Sequence, residues 1–430
     1  MNQPKTYPPA FRSWIVWGLG ATLYFTAFYQ RIAPAVMTDQ LMADFNIGAA
    51  ALGNFSAFYF YSYVVMQIPT GILVDFWGPR KLLIAGAFVA SLGTLIFGAA
   101  SHIVIANLGR LLIGASVAVA WVALLNLSIR WFPQRKYAYV SGVALCVGVF
   151  GAVIAGVPLR MFIDLFSWRP VMQTSAILTL LLALAIWLAV RDDPSDIGYI
   201  SYAPEVKAKP RSDPGAILSR LAEVLRYRNT WLLSFASAGS VGPVLAFSGL
   251  WGIPFLATHY GLTPARSATI TSLLLIAMAL GGPVLGAFSD RIGKRKPIYL
   301  ASAGASLAGW TVLLFLPGLP IWLLVVLVII IGFSSGNIII CFAYIKESMP
   351  LSLAGTASGV CNTGVMLGPM ILQPAMGLLL DRHWSGVIEN GVRLYNLGAY
   401  RSAFILMILS SLLAVVLISF TRETYCHQSL

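Results

Sequence analysis

Charge is what this sequence has least of. Only 10% of its 430 residues are Asp, Glu, Lys or Arg, against about a quarter in a soluble domain, while 58% are hydrophobic and mean hydropathy is +0.82. A water-soluble globule is excluded. Histidine is scarcer still: His102, His259, His383 and His427 fall at expected loops or the tail and share no metal-ligand spacing, so no metal site is expected. Of the four cysteines, Cys146, Cys341 and Cys361 lie within apolar segments and Cys426 in the tail, where they read as small packing residues. Strands of alternating polarity, which a membrane barrel needs, do not occur. Glycine-rich stretches such as GLGATLYF lack the strand context of a nucleotide-binding loop, and no cofactor is expected. No cleavable leader precedes the first apolar segment, so that segment is expected to remain as a helix. Nothing points to covalent catalysis, and an enzyme is not expected.

What is present is a long series of apolar runs. Twelve can cross about 30 Å of hydrocarbon: 14–37, 49–74, 82–101, 103–129, 138–159, 170–190, 229–257, 267–288, 298–316, 320–345, 353–380 and 402–420. The expected fold is an all-α integral membrane protein with twelve transmembrane helices in two pseudo-symmetric six-helix bundles, residues 1–190 and 229–430. Between them, 191–228 is rich in charge and proline and reads as an irregular cytoplasmic linker. The net charge of +13 would suit a polyanion, but its distribution says otherwise. Twenty of the 28 basic residues lie in segments on the side of the termini and six on the other, with Arg31 and Arg110 inside the membrane. That is the asymmetry that orients membrane proteins, so both termini are expected in the cytoplasm and no nucleic-acid partner is implied.

The halves repeat. GILVDFWGPRK at 71–81 returns as GAFSDRIGKRK at 286–296, pairing Gly71 with Gly286, Asp75 with Asp290, Gly78 with Gly293 and Arg80 with Arg295. A second echo, SGV at 141–143 and 358–360, is in nearly the same register. The repeated loop, falling between the second and third helix of each half, resembles the signature of the major facilitator superfamily. The resemblance implies two bundles rocking about a midplane site in the cell inner membrane, with Asp75, Arg80, Asp290, Arg291 and Arg295 as gating residues. A carboxylate at such a helix end can face the positive terminus of a neighbouring helix. The first copy departs from the pattern at Phe76, where a basic residue is usual, and Arg130 stands where the fourth helix usually ends on an acid. The fifth-helix Gly-Pro pair of drug antiporters is missing from CVGVFGAVIAGVPL, which weakens an export reading.

Ionisable residues inside a membrane are costly and mark functional sites. Arg31 and Arg110 lie at comparable depth, and the family resemblance places the first and fourth helices beside one chamber. The segment around Arg31, from Phe28 to Val36, is also similar to the first helix of the anion:cation symporter and organophosphate transporter branches. Two guanidiniums can fork onto a carboxylate or phosphate; the alternative is that they reach outer headgroups or pair with Asp39 and Asp44. Tyr24, Phe28 and Arg31 share one helix face. Tyr29, Tyr59, Tyr63, Trp121 and Asn126 in the first half, and Ser240, Trp251, Asn337, Tyr344, Asn362 and Gln373 in the second, could complete the substrate site. All fifteen acids fall in loops, tails or helix ends, and Gln30 neighbours Arg31. Asp39 and Glu347 are the available proton carriers. The function expected is secondary active uptake of a small organic anion or zwitterionic metabolite by alternating access, coupled to a proton or sodium ion, in a monomer surrounded by membrane lipid. Export of an amphipathic compound or siderophore, and a non-transporting membrane receptor, are the alternatives.

Overall fold

Backbone in hydrocarbon has no water to bond, so apolar runs of this length must satisfy their amides internally as helix. The computed structural model describes residues 6–203, 214–316, 318–350, 353–389 and 391–428, and helix dominates them. In chain order come α1 (Ala10–Ile32), α2 (Thr38–Phe45), α3 (Ala49–Ala99), α4 (Ile103–Trp131), α5 (Tyr137–Ile154), α6 (Val157–Phe166) and α7 (Trp168–Ala189). They are followed by α8 (Pro214–Val224), α9 (Arg228–Ala246), α10 (Gly252–Tyr260), α11 (Pro264–Ile292), α12 (Lys296–Phe315), α13 (Ile321–Ser335) and α14 (Ile338–Glu347). Last are α15 (Ala354–Arg382), a hairpin of β1 (Ile388–Glu389) and β2 (Val392–Arg393), and α16 (Leu397–Ser419).

Ten helical stretches among the described residues are long and apolar enough to cross a membrane. The expected segments 14–37 and 49–74 fall on α1 and the first part of α3, which are outside those ten. Several segments are broken by identifiable residues. A tight turn over Ala33–Val36, with Pro34 in it, ends α1. A π-helical turn at Phe247–Trp251, four residues after Pro243, separates α9 from α10. Gly78, at φ 78° and ψ 160°, interrupts α3, and Gly293, at φ 70°, ends α11 in the left-handed region. These two glycines are the paired positions of the duplicated loop and share a positive φ, although ψ differs, 160° at Gly78 and 26° at Gly293.

The interval 191–228 is not irregular throughout. Residues 194–197 form a tight turn capped by Asp193, and 214–224 form α8, whose Val224 is fully buried. An apolar anchor in a packed core stabilises a helix that charge and proline content alone would not foretell. The part 204–213 lies outside the described residues.

The chain clusters into two compact units. One comprises 1–31, 61–154 and 166–216; the other 32–60, 155–165 and 217–430. The first is built around Leu83, Leu124, Leu127, Trp131 and Ile186, all essentially inaccessible. The second is built around Tyr299, Ile340, Tyr344, Ile345 and Met349.

Candidate functional site

In the first unit the candidate residues gather about α1. The i, i+4, i+7 spacing brings the Tyr24 ring 5.0 Å from that of Phe28, and the Arg31 guanidinium carbon lies 4.6 Å from the Phe28 ring centre and 5.6 Å from that of Tyr63 on α3. Trp121 of α4 sits 5.0 Å from Tyr24, and Tyr29 hydrogen-bonds Ser175 of α7. Arg31 is 6% exposed and Arg110 1% exposed, so neither reaches solvent across the surface. Arg110 donates from Nη1 to the Gln30 carbonyl at 2.7 Å, while the Gln30 amide nitrogen donates to Thr94 Oγ1 at 2.9 Å. The α4 arginine is therefore fastened to the backbone of α1 at the residue next to Arg31. Ring contacts link Arg31, Tyr24, Phe28, Tyr63 and Trp121, while Arg110 reaches the Gln30 carbonyl and Tyr29 reaches Ser175. Asn126 is further along α4 and donates at 3.5 Å to its own helix at Val122.

Tyr59 belongs to the second unit, fully buried with its ring 5.1 Å from Phe60. There Ser240 donates to Asn337 Oδ1 at 2.9 Å, and the Asn337 amide donates to Ser302 at 3.1 Å. Trp251 Nε1 donates to the Gln373 carbonyl at 3.1 Å. Gln373 Nε2 donates to the Leu245 carbonyl at 3.3 Å, and Gln373 Oε1 is buried with no hydrogen-bond partner among the described residues. Tyr344 does not join them: its hydroxyl donates to Thr421 Oγ1 and the Arg422 carbonyl, at 2.9 and 2.8 Å, beside the C-terminal segment. Asn362 is half-buried on α15.

The duplicated loops carry matching backbone caps but different side-chain networks. In the second unit, Arg295 grips Glu347 through Nη2 at 2.7 Å and Nε at 3.1 Å, and reaches Asp290 through Nη1 at 2.5 Å. Burial lowers its affinity for the proton, but the two carboxylates more than offset this, so it stays cationic. Arg291 is exposed, and the Asp75 side chain lies outside the described residues. Two residues that the sequence reading left unassigned complete the networks. Asp192 accepts the Arg80 amide at 2.6 Å, and Arg80 Nη2 donates to the Trp187 carbonyl at 2.6 Å. Glu423 accepts the amides of Arg295 and Lys296, each at 2.9 Å. In each half an Arg-acid pair just after the sixth apolar segment of that half, Arg191-Asp192 or Arg422-Glu423, caps the residues following the loop glycine. That recurrence was readable in the sequence.

The two proton candidates differ. Glu347 is held by Arg295 and accepts from Thr424 Oγ1 at 2.7 Å. Asp39, in the first turn of α2, keeps an exposed surface but is crowded enough that burial raises its carboxyl above the usual range, with Arg160 opposing the shift.

Buried arginines, a duplicated interhelical loop and helices of membrane-crossing length mark a multi-pass membrane protein. The family model of the Major Facilitator Superfamily matches residues 19–252 and 233–425, and the chain belongs to that family. It is a transporter without enzymatic chemistry. Among its relatives, Probable sulfoacetate transporter SauU of Cupriavidus necator is 24% identical over 403 residues, 91% of this chain and 93% of that protein. Probable nitrate/nitrite transporter NarK2 of Mycobacterium tuberculosis is 27% identical, covering 73% and 76% respectively. Probable galactarate/D-glucarate transporter GarP of Escherichia coli is 21% identical, covering 82% and 85%. A bacterial homologue of the human lysosomal transporter Spinster matches in fold with a TM-score of 0.73 at 17% identity, covering 96% of this chain and 97% of that one.

Proposed function

We propose that this protein is a secondary active transporter that takes up a small organic anion or zwitterionic metabolite by alternating access between two six-helix bundles. Its twelve spans would lie in a bacterial inner membrane with both termini cytoplasmic. The observation that carries the reading is the pair of inaccessible arginines on α1 and α4, with Arg110 bonded to the α1 backbone one residue from Arg31. Ionisable side chains inside a membrane-spanning bundle are rare and mark substrate pathways, and the planar fork of a guanidinium suits a carboxylate, sulfonate or phosphate. Phe28 and Tyr63 place their rings against the Arg31 guanidinium. Sulfoacetate, nitrate and galactarate, after which three relatives are named, are all anions at neutral pH.

We assign substrate contact to Arg31, Arg110 and the rings around them. Ser240, Asn337 and Tyr344 are engaged elsewhere and hold helices together. Coupling to a cation is part of the proposal, and Glu347, neutralised by Arg295, is not its carrier.

The test is uptake into proteoliposomes of a panel of sulfonates, sugar acids and nitrate, with and without a proton or sodium gradient. Arg110→Ala and Arg31→Ala should each weaken apparent affinity roughly 10–150-fold, the equivalent of about 1.5–3 kcal/mol for a lost charged hydrogen bond. Arg110→Lys, which keeps charge but not the fork, should recover only part. Unaltered uptake of an identified anion in both alanine variants refutes the assignment.

A further inference from the structure

The helix ends remote from the duplicated loops carry a contact that neither the family match nor the substrate site explains. We infer that Asp381 is the latch that keeps these ends closed, and that it must release α3 before solute can enter from that side; this rests on the alternating-access reading above. Asp381 lies in the last turn of α15, and its carboxylate accepts the amides of Ala49 and Ala50 at 3.1 and 2.8 Å. These are the first amides of α3, which have no partner within their own helix and form its positive end.

The grip is reinforced from the β-hairpin side. Tyr395 donates its hydroxyl to Asp381 at 2.6 Å while accepting the Ala49 amide at 2.9 Å, and Arg393 stands 3.4 Å from the same carboxylate. No charged side chain comes from the α3 start, which reads Gly48, Ala49, Ala50. The backbones themselves meet. A Cβ on Gly48 would strike the Asp381 carboxylate at 2.6 Å, one on Gly53 would meet the Gln373 carbonyl at 2.5 Å, and one on Gly377 would collide with the Ala49 carbonyl. A single acid holding another helix by its terminal amides can let go as a unit, because water replaces all of its partners at once.

The experiment uses the full chain with its four cysteines replaced by serine and one reporter added at a time. Leu52→Cys places a thiol at a buried position beside the latch; Asn126→Cys places one towards the loop end of α4. Labelling rates with a bulky maleimide are compared among the parent, Asp381→Ala, Asp381→Asn and Tyr395→Phe. Loss of the latch should raise labelling at position 52 at least tenfold in Asp381→Ala, less in Tyr395→Phe, and lower it at position 126 as the opposite end closes. Unchanged rates in all three variants overturn the latch, as does a rise at both positions, which would mean general loosening. Where Asp381→Ala is not monodisperse, Tyr395→Phe alone decides by the same criterion. Labelling needs no substrate, so the latch can fail while the arginine site stands, and the reverse.

Discussion

Glu347 and Asp290 both contact Arg295, yet removing them should have very different consequences. The Arg295 side chain is 8% exposed, that of Glu347 16% and that of Asp290 64%. The Asp290 pair is therefore screened by water, and its loss should cost less than about 1 kcal/mol despite the short distance. Glu347 shields the guanidinium from the protein side and is itself bonded by Thr424. Truncating it leaves a mostly buried guanidinium with only the water-screened Asp290 as a counter-charge, which costs up to about 3–5 kcal/mol. At about 2–4 °C per kcal/mol, Glu347→Ala should melt roughly 6–20 °C below the parent in a detergent thermal-shift assay, with Asp290→Ala only a few degrees below at most. Replacing both members of the buried pair by apolar residues, Arg295→Met with Glu347→Leu, should restore most of the loss, because the penalty comes from the stranded charge. Single variants that melt together, or a double variant no more stable than Glu347→Ala, would contradict this asymmetry.

Two further outcomes follow from the helix caps and from Asp39. Asp192→Ala removes one accepted amide and should cost about 1 kcal/mol, as loss of a helix cap does, while Glu423→Ala removes two helix-start amides and should cost more. Equal melting temperatures for the two variants would count against the asymmetry. Asp39 has a folded-state carboxyl raised by burial, so its stabilising contribution is present in acid and is lost as pH rises through that raised value. Asp39→Asn should accordingly melt higher than the parent at pH 7 and alongside it near pH 4; a variant less stable at pH 7 contradicts the sign.

Membrane-crossing length, the all-helical class and the duplicated loop were legible from hydropathy and spacing because those signals are local. The paired glycines at 78 and 293 belong to the same category: a motif that needs a positive φ names its residue. The buried arginines were also visible, since charge inside an apolar run is conspicuous wherever the chain goes. What could not be read was which helix-end acid does what. In the sequence Asp192, Asp381 and Glu423 are alike, each a carboxylate at the edge of an apolar segment. Tertiary structure separates them by delivering different helix starts to each: Arg80 to Asp192, Ala49 and Ala50 to Asp381, Arg295 and Lys296 to Glu423. It likewise turned Ser240 and Asn337 towards each other and drew Tyr344 to the C-terminal segment. Hydropathy is set residue by residue along the chain, whereas a hydrogen bond between positions more than a hundred residues apart exists only once packing has brought their helix ends together.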